Sequence, residues 1–586
     1  MIKLKYQYII FILFGFIISL SACKKDKKIT EPTNTGESNL VFTIKSIEEM
    51  EDIKPSASQP KSKSSMSSSR SKEDHLSLQT EIVELNGIDA IMSVTEDLPE
   101  QYPGKPKLKT NIYNKGLKKS SGNNKAERIT SQLPDGATYR VVIFQTNSDG
   151  QATSYVTQGE GIVGSTPITL GVSRKTKYRW YAYTYNNNSP IDTLNPANGN
   201  VPVLASSNSD SKRQDFAYAT GLIITQDIIG ASQRLNNIVL TRKTARIVVE
   251  VNSRGMFAEI TNASPIFKDN SGLVKGEFRM QDSSFQNISA LIGSDHVYNH
   301  HSSGFSVPVG TDSVPKTDWK RRYTFYTPAD GETARALNIS LDTLQLRSER
   351  LKDSDGSVDY RTRTFYNTVF SFPAFIPQAG KSYFLSIKLV ESAILISGVR
   401  WARSNVYRDI STPQTAEGVW EYRFRYDNPL YQTTAAVPSN TDYFMNDIYR
   451  IVRGKNICEL IYPEDTWDLP TVDDFSILDN LSGKQVAVQD NGWYLYIVPT
   501  TNPAGFPGYP HKNLIFTPIG YRSNTNSGIS DFYPNSIRYR DTKGYWRTKI
   551  PGSFAQFNFT TSQQGMINVS TFITSRLACV RCIRKR

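Results

Sequence analysis

The chain has 586 residues, of which 38% are hydrophobic and 11% aromatic, and its formal net charge at pH 7 is +13. This length accommodates about three to four domains of ordinary size. Residue types that favour strands and turns are abundant, with 31 Tyr, 27 Phe and 36 Gly, so a protein made of long helices is excluded. The Lys and Arg residues are scattered through strand-like segments, which argues against a nucleic acid partner.

The amino terminus is typical of an exported protein. Lys3 and Lys5 form a short basic start, and an apolar run follows over residues 9–20. A basic start and an apolar run of this length characterise a secretory signal peptide. The run is shorter than the ~20 residues that a membrane-spanning helix needs. We therefore predict a signal peptide over residues 1–22, and export also removes the protein from nucleic acid.

The end of this segment resembles the lipobox of bacterial lipoproteins, with the residues Leu20, Ser21, Ala22 and Cys23. The resemblance implies that cleavage leaves Cys23 as the first residue, with lipid (palmitate among its chains) on its thiol and amino group. Several acyl chains together give a durable membrane anchor. We expect a lipid-anchored protein of the outer membrane, exposed on the cell surface, although the inner face stays open. The alternative is an ordinary signal peptide with an incidental cysteine.

Residues 23–74 are mostly polar and are predicted to form the lipid anchor and a flexible tether. A single strand-like run occurs at residues 40–44, and a Ser/Lys/Pro tract covers residues 54–71. Such a tract cannot bury enough apolar area to offset the entropy of ordering it. A spacer that lifts the folded part off the membrane explains this composition.

Short alternating strands separated by turns occupy the next part of the chain, at residues 139–144, 177–185, 246–251, 323–326 and 383–389. In this part of the chain no segment shows the hydrophobic periodicity of a helix. Strands spaced in this way are typical of antiparallel β-sandwiches. The span is too long for one sandwich, so we predict two.

The order of these motifs resembles that of fimbrillin-like proteins. The resemblance covers about residues 75–390 and rests on Leu170-Gly171 and on the segments at 178–183, 215–219, 240–251 and 380–387. It implies two transthyretin-like sandwiches, over residues 75–235 and 236–393, in a family that includes fimbrial stalk, anchor and tip subunits. Arg242 and Lys243 stand where relatives often have a histidine.

A change of composition near residue 394 marks a separate terminal domain over residues 394–586. Five of the seven tryptophans lie beyond it, and the segment resembles the Fibrobacter succinogenes major paralogous domain. The motifs that carry this resemblance are at residues 398–406, 462–463, 466–475, 545–546 and 580–582. This resemblance implies an α+β fold related to C-type lectins. With two antiparallel β-sandwiches before this domain, the whole chain is predicted to be mainly β.

One helix is predicted inside this domain. Thr471 after Pro470 is a good N-cap, and acidic residues at 473 and 474 complement the helix dipole in the first turn. Phe475, Ile477 and Leu478 are expected to face the core.

Three cysteines remain beyond Cys23, and an odd number in an oxidising compartment allows one disulfide and one spare thiol. In lectin-like folds the positions of Cys458 and Cys582 are neighbours. Cys579 lies three residues before Cys582, so on a strand its side chain points to the opposite face. We predict a Cys458–Cys582 bridge with Cys579 as a buried thiol. The alternatives are a Cys458–Cys579 bridge or no bridge.

No motif for catalysis, phosphate binding, zinc or calcium is found, so we predict a protein that is not an enzyme and has no cofactor or metal. Trp467 and Trp546 are expected in the core. Aromatic side chains in Gly/Pro/Asn-rich segments suit stacking on sugar rings or docking a partner. The candidate ligand-binding residues are Trp493, Tyr509, Tyr521, Tyr533, Arg538 and Tyr539. For the three tyrosines at 509, 521 and 533, plain loop packing is the alternative.

Together these features predict a lipid-anchored cell-surface adhesin, or a fimbrial accessory protein at the tip or anchor position. The expected partners are the membrane, through the lipid, and fimbrial subunits or surface glycans. The alternative function is a glycan-capture lipoprotein of a nutrient-uptake system. The sequence does not identify the ligand. It also does not decide whether the protein is part of a fimbrium or a stand-alone lipoprotein.

Overall fold

The fold was analysed in a computed structural model. It describes residues 37–48, 51–52, 81–85, 88–94, 130–195, 200–203, 215–266, 268, 271–292, 299–301, 319–329, 331, 333–351, 358–409, 421–424, 454–483, 485–488, 494–498, 513–516, 521–523, 537–538, 543–559, 567–571 and 576–585. Within these ranges no helix is long and apolar enough to cross a membrane.

The described residues up to Arg242 contribute twelve strands. They are β1 Ser38–Glu48, β2 Glu51–Asp52, β3 Glu81–Glu84, β4 Ile88–Val94, β5 Thr130–Gln132, β6 Thr138–Thr146, β7 Ala152–Ile162, β8 Ile168–Val172, β9 Lys177–Thr184, β10 Asn200–Val203, β11 Ala217–Ile224 and β12 Ser232–Arg242.

The middle of the chain contributes nine more strands. They are β13 Thr244–Gly255, β14 Ala258–Ile266, β15 Val274–Arg279, β16 Ser284–Ala290, β17 Asn299–His301, β18 Lys320–Pro328, β19 Arg335–Leu351, β20 Val358–Phe375 and β21 Lys381–Glu391.

The carboxy-terminal module has shorter elements and the single helix of the described residues. They are β22 Ile394–Ile396, β23 Val399–Trp401, β24 Val406–Asp409, β25 Glu421–Phe424, β26 Trp467–Asp468, α1 Val472–Asp479, β27 Gln485–Val488, β28 Tyr494–Val498, β29 Leu514–Phe516, β30 Tyr521–Ser523, β31 Ile537–Arg538, β32 Lys543–Arg547, β33 Ser553–Asn558, β34 Ile567–Thr571, β35 Arg576–Leu577 and β36 Ile583–Arg584.

The first sheet has eight strands in the order β5-β1-β12-β11-β9-β6-β7, with β8 also paired to β1. The hairpin from β7 to β8 folds one edge of the sheet towards the other, so that one face encloses a core. Gly161 permits this close approach, because a Cβ at that position would lie 2.6 Å from Tyr139 and from Ile168. The core of this first sandwich contains Leu40, Phe42, Val141, Ile143, Leu170, Trp180 and Leu240.

Strand β1 corrects the predicted tether. Its alternate residues Leu40, Phe42 and Ile44 are buried, and it runs parallel to β12 in the first sheet. Residues 38–48 are therefore part of the first sandwich and not of a flexible spacer over 23–74. Polar segments flank this short apolar run on both sides, so the sequence made it look like part of a spacer. Its partner strand lies almost 200 residues later, at Ser232–Arg242.

The second sandwich packs two sheets face to face. Its larger sheet has the order β17-β18-β13-β21-β4-β3, with β2 beside β21, and its smaller sheet has the order β14-β19-β20. Strand β4 pairs with β21 along its whole length, from Ile88↔Glu391 to Val94↔Leu385. Strands β3 and β4 thus belong to the second sandwich, whereas the sequence prediction placed these residues in the first. A strand of this kind carries no local mark of its distant partner.

A third small sheet, β10-β15-β16, joins the two sandwiches. Its Phe278 packs against Phe216 and Tyr218 of the first sandwich, with ring centroids 4.9 Å apart in both pairs. The Tyr218 hydroxyl donates to the carbonyl of Met280. The two sandwiches therefore share one continuous hydrophobic core.

Arg242 ties together the end of the first sandwich that lies next to this junction. It ends β12, and its Nε donates to Oδ1 of Asp215 at 2.9 Å, with both side chains buried. It also donates to the carbonyl of Glu48 at the end of β1. The next residue, Lys243, lies 5.9 Å from the centroids of the Tyr218 and Phe278 rings. Arg242 thus stabilises the end of the first sandwich, and Lys243 lies beside the contact of that sandwich with the small third sheet.

The prediction of a mainly β protein is confirmed. The five strand segments predicted from alternation are found in β6, β9, β13, β18 and β21, and α1 is the one helix in the described parts of the chain. The assignment of particular fold families to each domain stays a prediction.

We predict that Phe42→Ala lowers the free energy of unfolding by about 3–5 kcal/mol, because it opens a cavity in a closed core. Phe42 is fully buried and packs edge-on against Trp180, with ring centroids 6.0 Å apart. Denaturant unfolding followed by tryptophan fluorescence measures the change. Lys45→Ala, on the exposed side of β1, is the control and should change stability by less than about 0.5 kcal/mol. Equal effects of the two substitutions would contradict the placement of β1 in the core.

Candidate functional site in the carboxy-terminal module

The predicted ligand-binding residues fall mostly outside the described residues. Trp493, Tyr509, Tyr533 and Tyr539 lie outside them, and so does the predicted lipidation site at Cys23. The other two candidates lie on neighbouring strands: Tyr521 begins β30, Arg538 ends β31, and their Cα atoms are direct cross-strand partners. The structure therefore brings together one tyrosine and one arginine of the predicted set, while the binding role of all six stays a prediction.

An aromatic cluster forms the main core of the module. The rings of Phe516, Trp546 and Phe557 pack with centroids 4.5–4.8 Å apart. Trp401 packs on Phe475 at 5.2 Å. These side chains are fully buried, so the expectation that Trp546 is a core residue is confirmed.

Helix α1 begins where the sequence predicts. Thr471 is its N-cap: the hydroxyl accepts from the backbone N–H of Asp474, and the Asp474 carboxylate accepts from the backbone N–H of Thr471. This reciprocal capping box satisfies two backbone donors that the first turn leaves open. Phe475 and Leu478 are buried, and Ile477 packs against the same core. The cap thus fixes which face of the helix meets the aromatic cluster.

Arg581 is a structural residue of the module core that sequence reasoning missed. Its side chain is fully buried, and it donates to Oδ1 of Asn405 at 2.9 Å and to the carbonyls of Ala402 and Ile515 at 3.1 and 2.9 Å. Trp546 donates its Nε1–H to the same Asn405 oxygen at 3.0 Å. One guanidinium therefore joins three segments that are far apart in sequence. Its position between two buried cysteines is the only local sign of this burial.

The structure joins Cys458 to Cys582, the pair favoured from the sequence, with their Cα atoms 5.8 Å apart. Cys579 is a free and buried thiol. It packs in the cluster of Trp546, whereas Cys582 packs in a second cluster that contains Trp467. The two cysteines of the C-x-x-C therefore face different cores, and the thiol of Cys579 cannot reach the bridge. Burial raises the pKa of Cys579 to about 12.

The module is attached to the second sandwich without a linker. Only Ser392 and Ala393 separate β21 from β22. Phe257, in the turn between β13 and β14 of the second sandwich, packs into the second cluster of the module beside Trp467. Tyr462 accepts a hydrogen bond of 2.9 Å from Nδ2 of Asn252, and Arg254 stacks over its ring at 4.7 Å.

The centre of this junction is a buried ion pair. Nη2 of Arg584 lies 2.7 Å from Oδ2 of Asp89 in β4, and both side chains are 4% exposed. The same nitrogen donates to the carbonyl of Glu391 at 2.8 Å, and the guanidinium lies 4.0 Å from the centre of the Trp467 ring. Next to it, Arg363 bonds both carboxylate oxygens of Glu391, at 2.9 and 3.0 Å.

Burial raises the pKa of Asp89 to about 6, and the adjacent Arg584 guanidinium opposes this rise. At neutral pH the carboxyl is therefore ionised and paired with Arg584. The sequence gives one sign of this role, a single acidic residue between the apolar residues Ile88 and Ala90.

The exposed rim of the module carries a network of opposite charges. Lys455 bonds to Glu464 and Asp465 at 2.6 and 2.7 Å, and Lys585 bonds to Glu459 at 3.0 Å. The Lys455 ammonium beside Asp465 holds the pKa of that carboxyl below its usual range. Among the residues that the structure describes, no group of three or more His, Cys, Asp or Glu side chains is placed to hold a metal ion.

No family model matches this sequence, and no curated protein matches it. Solved structures give distant overlays. A fimbrial assembly protein from Parabacteroides distasonis is 13% identical and has a TM-score of 0.21, over 43% of this chain and 82% of that one. The fimbrial anchor protein Mfa2 from Porphyromonas gingivalis is 12% identical with a TM-score of 0.20, over 42% of this chain and 94% of that one.

A fimbrilin from Porphyromonas gingivalis W83 is 9% identical with a TM-score of 0.18, over 44% of this chain and 91% of that one. Overlays at these scores define neither the fold nor the role of this chain.

We predict that Arg584→Met lowers the free energy of unfolding at pH 8 by about 3–5 kcal/mol, because it leaves the ionised Asp89 buried without its cation. The loss should be smaller at pH 5. Between about pH 4 and pH 6, Asp89 is protonated in the folded protein but ionised in the unfolded chain. The contribution of Asp89 to the free energy of unfolding therefore falls as the pH rises through this range. Without the Arg584 cation the pKa of Asp89 rises further, so the range extends to higher pH.

Denaturant unfolding at both pH values measures these losses. Adding Asp89→Asn to Arg584→Met should recover most of the loss at pH 8, since the buried charge is gone. Lys585→Met removes the same charge from an exposed neighbour and serves as the control. A loss for Arg584→Met that is equal at pH 5 and pH 8 would show that the pair is not the source of the effect.

For the cysteines we expect one cross-linked peptide, Cys458 with Cys582, in non-reducing peptide maps of the folded protein. Cys579 should resist alkylation until the protein is unfolded, because its thiol is buried and stays protonated. Replacing Cys458 and Cys582 by Ser should lower stability by about 4–5 kcal/mol, the chain-entropy value for a loop of this length. The control is Cys579→Ser, which keeps the bridge. A Cys458–Cys579 peptide, or three thiols that react in the folded protein, would disprove this pairing.

Proposed function

We propose that this protein is a lipid-anchored adhesin or fimbrial accessory protein of the cell surface, which binds without catalysis and occupies the tip or the anchor end of a fimbrium. Acylation of Cys23 attaches it to the outer membrane. The carboxy-terminal module presents the binding surface, with Tyr521, Arg538 and the neighbouring aromatic residues as the ligand contacts. Its partners are fimbrial subunits or surface glycans.

The observation that carries this proposal is the rigid attachment of the module to the sandwiches. The Arg584–Asp89 pair, the Phe257 side chain and the Tyr462–Asn252 hydrogen bond fix the module on the second sandwich. The shared hydrophobic core, with Phe278 packed on Phe216 and Tyr218, fixes the second sandwich on the first. A binding module held in this way is displayed at a fixed position and transmits a pulling force to the anchor, as adhesion requires.

The position of β1 supports an end position in a fimbrium. An extended segment of one subunit can complete the sheet of another. Here β1, the first strand of the described residues, is already paired inside its own sheet, between β12 and the pair β5 and β8. A segment that is buried in its own sandwich and tied to a lipid cannot serve as a donor strand to a neighbour. The protein should therefore cap a polymer and not form its stalk.

Fractionation of cells that express Cys23→Ala tests the anchor. We expect the variant to leave the outer-membrane fraction, because it has no thiol for the lipid. Ser21→Ala keeps a small residue before the cysteine, so it serves as the control and should remain in the membrane. Protease treatment of intact cells then tests display: the wild-type protein should be cleaved before the cells are lysed. Resistance until lysis would contradict surface exposure.

Immunogold labelling tests the position in a fimbrium. We expect gold particles at one end of each filament, and none along its length, because β1 is not available for exchange. Particles distributed along the filament would refute the end position. If fimbriae are absent altogether, while the protein is displayed on the surface, the stand-alone form of the adhesin is the one that remains.

A further inference from the structure

One end of the first sandwich carries a cluster of exposed aliphatic side chains. The hairpin between β11 and β12 exposes Ile228 and Ile229 at 60% and 74% of their surface, and Ile224 at 63%. Leu222 on the same strand is also exposed. Single exposed aliphatic residues are ordinary on protein surfaces, but several at one hairpin end form a patch that calls for an apolar contact. We call residues 224–229 the apolar tip.

The apolar tip is held in a fixed shape. The buried hydroxyl of Thr225 donates to the carbonyl of Ser173 at 2.8 Å, and the backbone N–H of Gly230 donates to the carbonyl of Glu37 at 2.8 Å. Gly230 adopts a φ of +76°, a conformation that favours glycine. Hydrogen bonds therefore fix the backbone of the loop that exposes the isoleucines. This backbone needs no further ordering when the isoleucines contact a partner.

Charges beside the tip are paired with one another. Arg174 lies 3.2 Å from Glu37 and 3.4 Å from Asp227, and Lys175 lies 3.3 Å from Asp227. Two cations and two anions cancel, so the tip has no net charge that a lipid surface would repel. Arg174 and Lys175 are 41% and 78% exposed, so solvent-borne groups can still reach both side chains.

The position of the tip identifies its partner. Strand β1 begins beside it, since Asn39 is the partner of Ser232 in the parallel pairing. Glu37 lies fourteen positions after Cys23, so the connecting segment spans at most about 50 Å. Strand β12 leads away from the tip for 11 residues, about 35 Å, to Arg242 at the junction with the second sandwich. The tip is thus at the anchored end of the molecule, opposite the second sandwich.

We propose that Ile228 and Ile229 insert into the surface of the lipid bilayer that holds the anchor, with Arg174 and Lys175 at the level of the headgroups. Apolar side chains at such a surface enter the boundary between headgroups and acyl chains. The inference rests on the proposed anchoring at Cys23. The tip then gives the anchored protein a second contact with the membrane and makes the sandwiches stand with the carboxy-terminal module away from it.

The test replaces the lipid by an artificial tether, so that it does not depend on acylation. The full mature chain with a histidine tag at position 23 is bound to vesicles of phosphatidylethanolamine and phosphatidylglycerol that contain a nickel-chelating lipid. Ile229→Trp introduces an additional tryptophan. Its contribution to the fluorescence emission is compared on vesicles with and without brominated acyl chains. We expect quenching of about twofold or more, because the side chain lies within the interfacial layer. Ile550→Trp, at a position 53% exposed in the carboxy-terminal module, should not be quenched.

Release by imidazole is the second measurement. Two linked contacts hold a molecule longer than one, so Ile228→Ser with Ile229→Ser should release about tenfold faster than the parent, and Ile550→Ser at the parent rate. Equal emission on both kinds of vesicle, or an unchanged release rate for the double variant, overturns the inference and leaves the anchor intact. Self-association that depends on Ile229 in place of quenching assigns the tip to a second copy and also overturns it. If acylation of Cys23 fails, cell fractionation shows it, while the vesicle results still report on the tip.

Discussion

The position of the carboxy-terminal module on the second sandwich depends on one buried guanidinium group. Arg584 lies in the short strand β36, and its counter-ion Asp89 lies almost 500 residues earlier in a strand of the second sandwich. A buried cation needs its anion and its hydrogen bonds in place, since a buried unpaired charge is far more costly than a lost surface contact. The pair therefore stabilises the position of the carboxy-terminal module on the second sandwich, and the guanidinium also lies over the Trp467 ring, 4.0 Å from its centre.

The same device recurs along the molecule. Arg242 joins the residues before β11 to the ends of β1 and β12 inside the first sandwich, and Arg581 joins three segments inside the module. In each place the arginine reaches backbone carbonyl groups as well as side chains. Its planar group with several donors suits such sites better than lysine does. Of the three, only the Arg584 contacts cross between two domains, and the hydrophobic clusters form the cores.

The two ends of this body differ in chemistry. The end from which β1 starts is apolar at its tip and lies near the predicted anchor, while the far module combines a closed aromatic core with a charged rim. A protein that stands on a membrane and presents a binding surface needs this division, because the two ends meet different surroundings.

Local patterns in the sequence determined the strands, the helix cap and the class of the fold. Alternation predicted β6, β9 and β13, and Thr471 with Asp474 marked the start of α1, because periodicity and capping act over a few residues. Only the tertiary structure decided that β1 enters the first sheet and β4 the second, that Arg581 is buried inside the module and that Arg584 is buried at its junction with the second sandwich. These features arise from contacts between residues that are distant in sequence, such as Asp89 and Arg584, which are 495 positions apart. Neither an isolated strand nor a single charged residue carries a mark of the partner that it will meet, so the sequence by itself leaves such pairings open.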